Sequence, residues 1–320
     1  MLLKVNLHYL VLAVLILVLV LGMSIKSKYF LTLANFDVLV NNYIMEAIMA
    51  LGMTMVIISG GIDLSIAGIL PFTAIIFAKM MTSGMNIPLA MIISLLVAMG
   101  IGFINNELRS KLNLYPMVVT LSTSLILKSI NLVLTGGTVI AKFPASFKKI
   151  GMFKPLGITL SCWIYIILAV LFLYFSKNNK RFIQVFFVGG NAEAAKLSGM
   201  NTEAVYRFVY VMSAFLAGLA GILSTTVYNS ASFSFGQGVE LRVITAVAIG
   251  GTSMTQGGIG SIAGTMLGTL FLAIVYNAFV MSGMSTYYEN VVTGGMLIVA
   301  ILLSEGIRKI KLKQTQETLK

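Results

Sequence analysis

The chain has 320 residues, 58% hydrophobic and only 10% charged, with a formal net charge of +12 and a mean hydropathy of +0.97. Soluble domains carry about 25% charged residues, so this composition excludes a water-soluble domain and defines a polytopic α-helical membrane protein. A β-barrel would show short alternating segments instead of long apolar blocks. The single cysteine, Cys162, lies in an apolar run and excludes a disulfide framework or a metal–thiolate cluster. One histidine, His8, rules out multi-histidine chemistry, so no metal or other cofactor is expected.

Ten apolar runs follow in chain order, at 7–23, 44–59, 65–81, 88–106, 116–135, 158–176, 208–226, 240–256, 261–282 and 290–306. The first reads as a helix, not a secretory signal, because Ser24-Ile25-Lys26-Ser27-Lys28 follows it with no small-x-small cleavage site. Several runs fall short of the ~20 residues that a straight crossing needs. The shortest flank two glycine-rich breaks, Gly60-Gly61-Ile62-Asp63-Leu64-Ser65-Ile66-Ala67-Gly68 and Gly257-Gly258-Ile259-Gly260-Ser261-Ile262-Ala263-Gly264. Both end in Ser-Ile-Ala-Gly. A broken helix bares N–H and C=O groups that lipid cannot satisfy, so it is tolerated only where protein or a water-filled path covers it. Two similar breaks point to a repeated architecture around a permeation path. The expected fold is one all-α transmembrane domain, 1–320, of about ten helices, some discontinuous, in a partial internal repeat. The spans before the breaks run one way and those after them run back, so the local repeat is parallel.

Placing the N-terminus in the cytosol puts 13 of the 22 basic residues inside and 6 outside. This obeys the positive-inside rule, although the 136–157 loop is unusually basic. Both termini are then cytosolic, with a tail at 307–320. The charge is an orientation signal for the lipid bilayer, and no basic soluble face with interleaved aromatics is present to bind nucleic acid. The most polar internal loop is 177–207. Asn191 suits an N-cap, Glu193 favours the first helical turn, and Gly199 suits the left-handed position after the last turn. They bound a helix of under two turns, and Asn201 or Thr202 caps the next span. So short a helix needs the bundle or a partner protein to hold it.

Four segments in series carry a resemblance that covers nearly the whole chain. Gly60-Gly61-Ile62-Asp63-Leu64-Ser65 is similar to the signature of the ribose-type sugar ABC permeases, within the branched-chain-type permease superfamily. Gly189-Gly190-Asn191-Ala192-Glu193-Ala194-Ala195-Lys196-Leu197-Ser198-Gly199 resembles their cytosolic coupling loop. Ile249-Gly250-Gly251-Thr252-Ser253, followed by Gly257-Gly258, resembles their late glycine-rich segment, and Met284-Ser285-Thr286-Tyr287-Tyr288 fits before the last span. The chain departs from the pattern at Ile66-Ala67 and at Arg242, which stands where an Asp is usual.

The resemblance implies a permease subunit of a binding-protein-dependent ABC importer in the bacterial inner membrane, with a pentose or related small polyol as substrate. It implies a second permease subunit, identical or paralogous, a cytosolic ATP-binding subunit and an extracytoplasmic substrate-binding protein. Asn191, Glu193, Ala194, Ala195, Leu197, Ser198 and Gly199 would meet the ATPase. Gly60, Gly61, Asp63, Ser65, Gly250, Gly251, Thr252, Gly257 and Gly258 are translocation-path candidates.

The residues themselves leave alternatives. Asp63 either caps the following helix or touches sugar. Glu46 and Lys128 either snorkel to the interface or pair within the bundle. Gly264 and Gly268 form a small-xxx-small packing stripe. Span 116–135 is unusually polar, and Ser124 and Asn131 either line the path or bond to neighbouring helices. No Gly-x-x-x-x-Gly-Lys-Ser/Thr phosphate loop, zinc helix or hydrolase elbow appears, so the chain is expected to be no enzyme. A nucleoside or other small-solute ABC permease, or an ion-coupled secondary transporter, would share much of this pattern.

Overall fold

The computed structural model describes residues 7–141, 143–285 and 288–302. The 307–320 tail, Thr286 and Tyr287 lie outside the described residues. Helices make up the described chain in the order α1 Leu7–Lys26, α2 Leu33–Ile58, α3 Ile66–Thr82, α4 Ile87–Lys111, α5 Pro116–Thr135, α6 Ala145–Met152, α7 Leu160–Asn178, α8 Lys180–Gly190, α9 Ala192–Leu197, α10 Thr202–Tyr228, α11 Val239–Ile249, α12 Ile262–Met281 and α13 Tyr288–Leu302. Seven of the described helices are long and apolar enough to cross a membrane, while α3 and α13 are apolar but shorter. At 1.5 Å per residue, the 11-residue α11 covers about half of a ~30 Å hydrocarbon layer. It is a half-helix.

Each predicted span contains a helix, but three details differ from the sequence reading. Helix α2 starts at Leu33, well before residue 44. Asn35, Asp37 and the Asn41-Asn42 pair hide its first turns from a hydropathy scan. Partners answer the first of these residues: Thr32 caps the helix, Asn35 exchanges amide bonds with Asn277 at 3.0 and 2.9 Å, and Asp37 pairs with Lys154. The 136–157 loop contains the amphipathic α6, whose Phe147 is buried against Phe77 and Phe143. The 177–207 loop contains a second helix, α8, whose Phe182, Val185 and Val188 face inward at helical spacing.

Helix α10 is the hub, packing mainly on α2, α3 and α4. Lipid tails are as apolar as leucine, so close approach between helices relies on small residues. A Cβ on Gly52 would sit 2.9 Å from the Ser213 Cα, one on Gly218 2.7 Å from Ala98, and one on Gly221 would strike the Leu70 carbonyl. Gly264 and Gly268 set α12 against the α11 carbonyls of Gly250 and Ala246, as the small-residue stripe required. One end of the bundle carries α8 and α9. The opposite end carries α6 and a backbone bridge between Ile140 and Ala231.

Two glycines two residues apart on α4, and so on different faces of the helix, test this packing. A Cβ on Gly102 would lie 2.5 Å from the Tyr210 carbonyl, whereas one on Gly100 meets nothing within 4 Å. Gly102→Val is expected to cost about 1–3 kcal/mol or more by overpacking, and Gly100→Val to be tolerated. Melting temperatures of the two variants in detergent measure the difference.

Candidate functional site

Both broken helices end in the same way. Ser59 closes α2, Gly60 N–H bonds to the Ile57 carbonyl at 2.9 Å, and Gly61 N–H reaches back to Val56 at 3.0 Å. Gly250 closes α11, Gly251 N–H bonds to Ala248 at 3.0 Å, and Thr252 N–H reaches back to Val247 at 3.2 Å. These are two Schellman motifs, which satisfy carbonyls that the helix itself leaves open. Gly60 at φ +88° and Gly251 at φ +89° hold the left-handed position that a Cβ would strain. The next helices open on the same Ser-Ile-Ala-Gly, at Ser65 before α3 and at Ser261 before α12, although only Ser261 caps its helix, its side chain accepting from Gly264 N. The structural partner of Gly60 is therefore Gly251, not Gly257. The second break is longer, and residues 253–260 form an extra excursion that carries Gly257 and Gly258.

That excursion joins the two breaks. Gly258 N–H donates to the Ile58 carbonyl at 2.7 Å, supplying the end of α2 with a donor its own helix lacks. His8 on α1 does the same service for α11, its Nε2 donating to the Ile249 carbonyl at 2.9 Å while the ring lies against Gly251. A cleft of about 210 Å³ lies between the breaks, bordered by Gly60, Gly61, Ile62, Tyr115, Met117, Met254, Thr255 and Gly257. Tyr115, at the α4–α5 turn, is 81% exposed.

Asp63 does not face this cleft. It is fully buried, and its carboxylate accepts from Ser65 N at 3.0 Å, Ser65 Oγ at 2.5 Å and Ser213 Oγ at 2.7 Å. Ser65 Oγ in turn accepts from Asn105 Nδ2, and Asn105 Oδ1 accepts from Thr123. One chain of polar groups thus ties the first break to α4, α5 and α10. Such a network is stable when each member is satisfied and costly when one is removed. The α5 residues Thr120, Ser124 and Asn131 lie on the face turned to α3. Thr120 bonds to Ile62 O, Asn131 Nδ2 to Gly68 O at 3.3 Å, and Ser124 is buried beside Gly68. Thr252 is buried in the second break, whereas Gly251 is exposed.

The membrane-embedded charges are paired across helices. Glu46 accepts from Arg242 at 2.6 Å and Glu240 from Lys128 at 3.1 Å, so Glu46 and Lys128 find separate partners. Arg242 and Glu240 both stand on α11, so this helix supplies one member of each pair. Tyr43 stacks on Tyr276 beside them, and Tyr276 bonds to Thr293 at 2.5 Å.

At the α8–α9 end, Asn191 caps α9 by accepting from Ala194 N at 2.9 Å, and Asn201 caps α10 by accepting from Ala204 N at 3.0 Å. Ser198 Oγ donates back to the Ala194 carbonyl and Gly199 turns the chain at φ +79°. Ala195 is buried, while Glu193, Ala194 and Ser198 are exposed and Leu197 is 90% exposed.

The fold is that of a multi-pass membrane permease built on two broken helices. Residues 35–301 match the family described as the permease component of the branched-chain amino acid transport system. The chain belongs to this family of transport permeases, which are not themselves enzymes. It is 32% identical to the ribose import permease protein RbsC of Escherichia coli over 292 residues, 90% of this chain and 91% of the relative. RbsC of Bacillus subtilis is 33% identical over 289 residues, 89% of each chain. The D-allose transport system permease protein AlsC of Escherichia coli is 31% identical over 287 residues, 89% of this chain and 88% of the relative. No solved structure matches the chain.

Two variants probe the buried polar groups. Asp63→Ala strands the donors of Ser65 and Ser213, at about 1–3 kcal/mol for each one unpaired, and is expected to reduce folded yield more than Asp63→Asn. Glu46→Ala leaves the Arg242 cation unpaired, at about 3–5 kcal/mol. The double change Glu46→Ala/Arg242→Met should recover most of the folded protein. Monodispersity on size-exclusion chromatography reads both results.

Proposed function

We propose that this chain is the permease subunit of a binding-protein-dependent ABC importer for a sugar, a pentose or related small polyol. The names of the relatives, ribose and allose import permeases, support the substrate class. The observation that carries the coupling role is α9, a capped helix of under two turns with Ala194 and Leu197 exposed at one end of the bundle. A separate ATP-binding subunit would receive it in a groove lined for small apolar side chains. The α8–α9 end is then cytosolic, both termini are cytosolic, and the protein lies in the bacterial inner membrane. The α6 end faces outward, where a substrate-binding protein delivers sugar. A second permease subunit, identical or paralogous, completes the pathway.

In this reading the path passes the glycine breaks. Gly60, Gly61, Gly250, Gly251, Thr252, Gly257 and Gly258 belong to its cytosolic part, where the cleft opens beside Tyr115. Asp63, Ser65, Ser124 and Asn131 hold α3 and α5 behind the first break. A polyol slips past exposed backbone and hydroxyls without tight binding, and the binding protein sets the selectivity. The ion-coupled alternative would need titrating groups free to exchange ions. Glu46 and Glu240 are engaged by cations and Asp63 by three donors.

Ala194→Trp is expected to abolish uptake of labelled ribose or allose while membrane insertion is unchanged. Uptake in cells should survive an uncoupler and stop on ATP depletion. Normal uptake by Ala194→Trp would remove α9 from the ATPase contact. In a background with Cys162 replaced, Tyr115→Cys should react with a water-soluble thiol reagent from the cytosolic side, and more slowly during turnover. An inert Tyr115→Cys would move the path elsewhere.

A further inference from the structure

We propose that Gly189, at the end of α8, seats the ATPase-docking helices on both broken helices at once and relays the movement of the ATP-binding subunit to them. This rests on the coupling role of α9 argued above, and adds the route by which that movement reaches the path.

Three backbone segments meet at one point. A Cβ on Gly189 would collide with the Ile58 carbonyl, the last helical residue of α2, and would lie 2.7 Å from Gly258 N. A Cβ on Gly257 would collide with the Gly189 carbonyl in return, and one on Gly258 would lie 2.8 Å from Gly190 Cα and 2.9 Å from Phe186 O. Gly258 N–H meanwhile holds the Ile58 carbonyl at 2.7 Å. The end of α8, the end of α2 and the excursion of the second break are therefore in backbone-to-backbone contact, with no side chain between them.

The absence of side chains decides what the contact can do. Long side chains change rotamer and absorb small displacements, whereas packed backbone passes them on. Helix α8 is held at its other side by Phe182, which meets Phe172, Phe175 and Phe208 with ring centroids 5.3–5.7 Å apart. Its C-terminal end continues through Asn191 into α9, so a push on α9 acts on a lever pinned at Phe182 and bearing on Ile58 and Gly257. Both bearing points border the cleft or adjoin it, since Ile57 and Gly257 line it. The longer second break acquires a purpose: residues 253–260 bring Gly257 and Gly258 out to this junction.

Gly190 is the built-in control. It is the next residue on the same helix, yet a Cβ there meets nothing within 4 Å. Gly189→Ala and Gly190→Ala raise helix propensity alike, and differ in the junction. Uptake by the reconstituted importer is expected to fall about tenfold or more in Gly189→Ala and in Gly257→Ala, a typical size for coupling between sites. Co-purification of the ATP-binding subunit and its basal hydrolysis should persist, while stimulation by the sugar-loaded binding protein is lost. Gly190→Ala should behave as the parent does. Parental uptake in Gly189→Ala, or an equal fall in Gly190→Ala, overturns the relay.

If Gly189→Ala does not insert, Gly257→Ala, whose methyl would press on the Gly189 carbonyl from the excursion, decides the question. With the ATP-binding subunit still co-purifying and basal hydrolysis intact, loss of stimulation by the loaded binding protein supports the relay, and parental uptake and stimulation overturn it. ATP-driven uptake with a silent Gly189→Ala sinks the relay alone. Uptake by the parent chain that survives ATP depletion sinks the importer reading and the relay together.

Discussion

A backbone hydrogen-bonding group has no substitute partner in lipid, and the rest of this structure is arranged around that fact. Each broken helix leaves its last carbonyls open inside the bundle. The Schellman turns at Gly60 and Gly251 close some of them. Others are closed from outside the helix, the Ile58 carbonyl by Gly258 N–H and the Ile249 carbonyl by the His8 ring. The donors come from distant parts of the chain, so satisfying the breaks also draws α1, α2, α11 and α12 together. The elements that make the interior discontinuous are thus also those that fix its tertiary arrangement.

The same logic governs polar side chains in the apolar layer. Asp63 would be costly alone in a membrane interior. With three donors, and with Asn105 and Thr123 behind them, it becomes a node that joins the first break to α4, α5 and α10. Glu46–Arg242 and Lys128–Glu240 link α11 to α2 and to α5 in the same manner. The Arg242 charge is answered by a carboxylate on the neighbouring helix, α2.

Transport needs both stiffness and a place to yield. Small residues let α10 approach α2, α3 and α4 at backbone distance, which makes the centre rigid. The cleft between the breaks, by contrast, is lined by turns and by exposed Tyr115, where few side chains interlock. Helix α8 bears on this softer region through Gly189, so the α8–α9 end of the bundle has a short path to it.

Hydropathy, charge and cap residues were enough to read the membrane class, a helix within each of the ten apolar runs, the short capped helix at Asn191 and the presence of two related breaks. Those features are local: they depend on runs of apolar residues, on cap residues and on glycines next to one another in the chain. The start of α2 was missed because Asn35 and Asp37 look like loop residues until Asn277 and Lys154 are brought beside them. The match of Gly60 to Gly251 was missed because the eye aligns Gly-Gly pairs, whereas the chain aligns helix ends. Glu46, Lys128, Asp63 and His8 each have a partner more than a hundred residues away, on Arg242, Glu240, Ser213 and Ile249. By itself, the sequence determined which segments would enter the membrane and where they would break, because both follow from the solubility of short stretches in lipid. Only the tertiary structure decided which groups satisfy those breaks, because a donor and its acceptor are matched by distance in space and not by spacing along the chain.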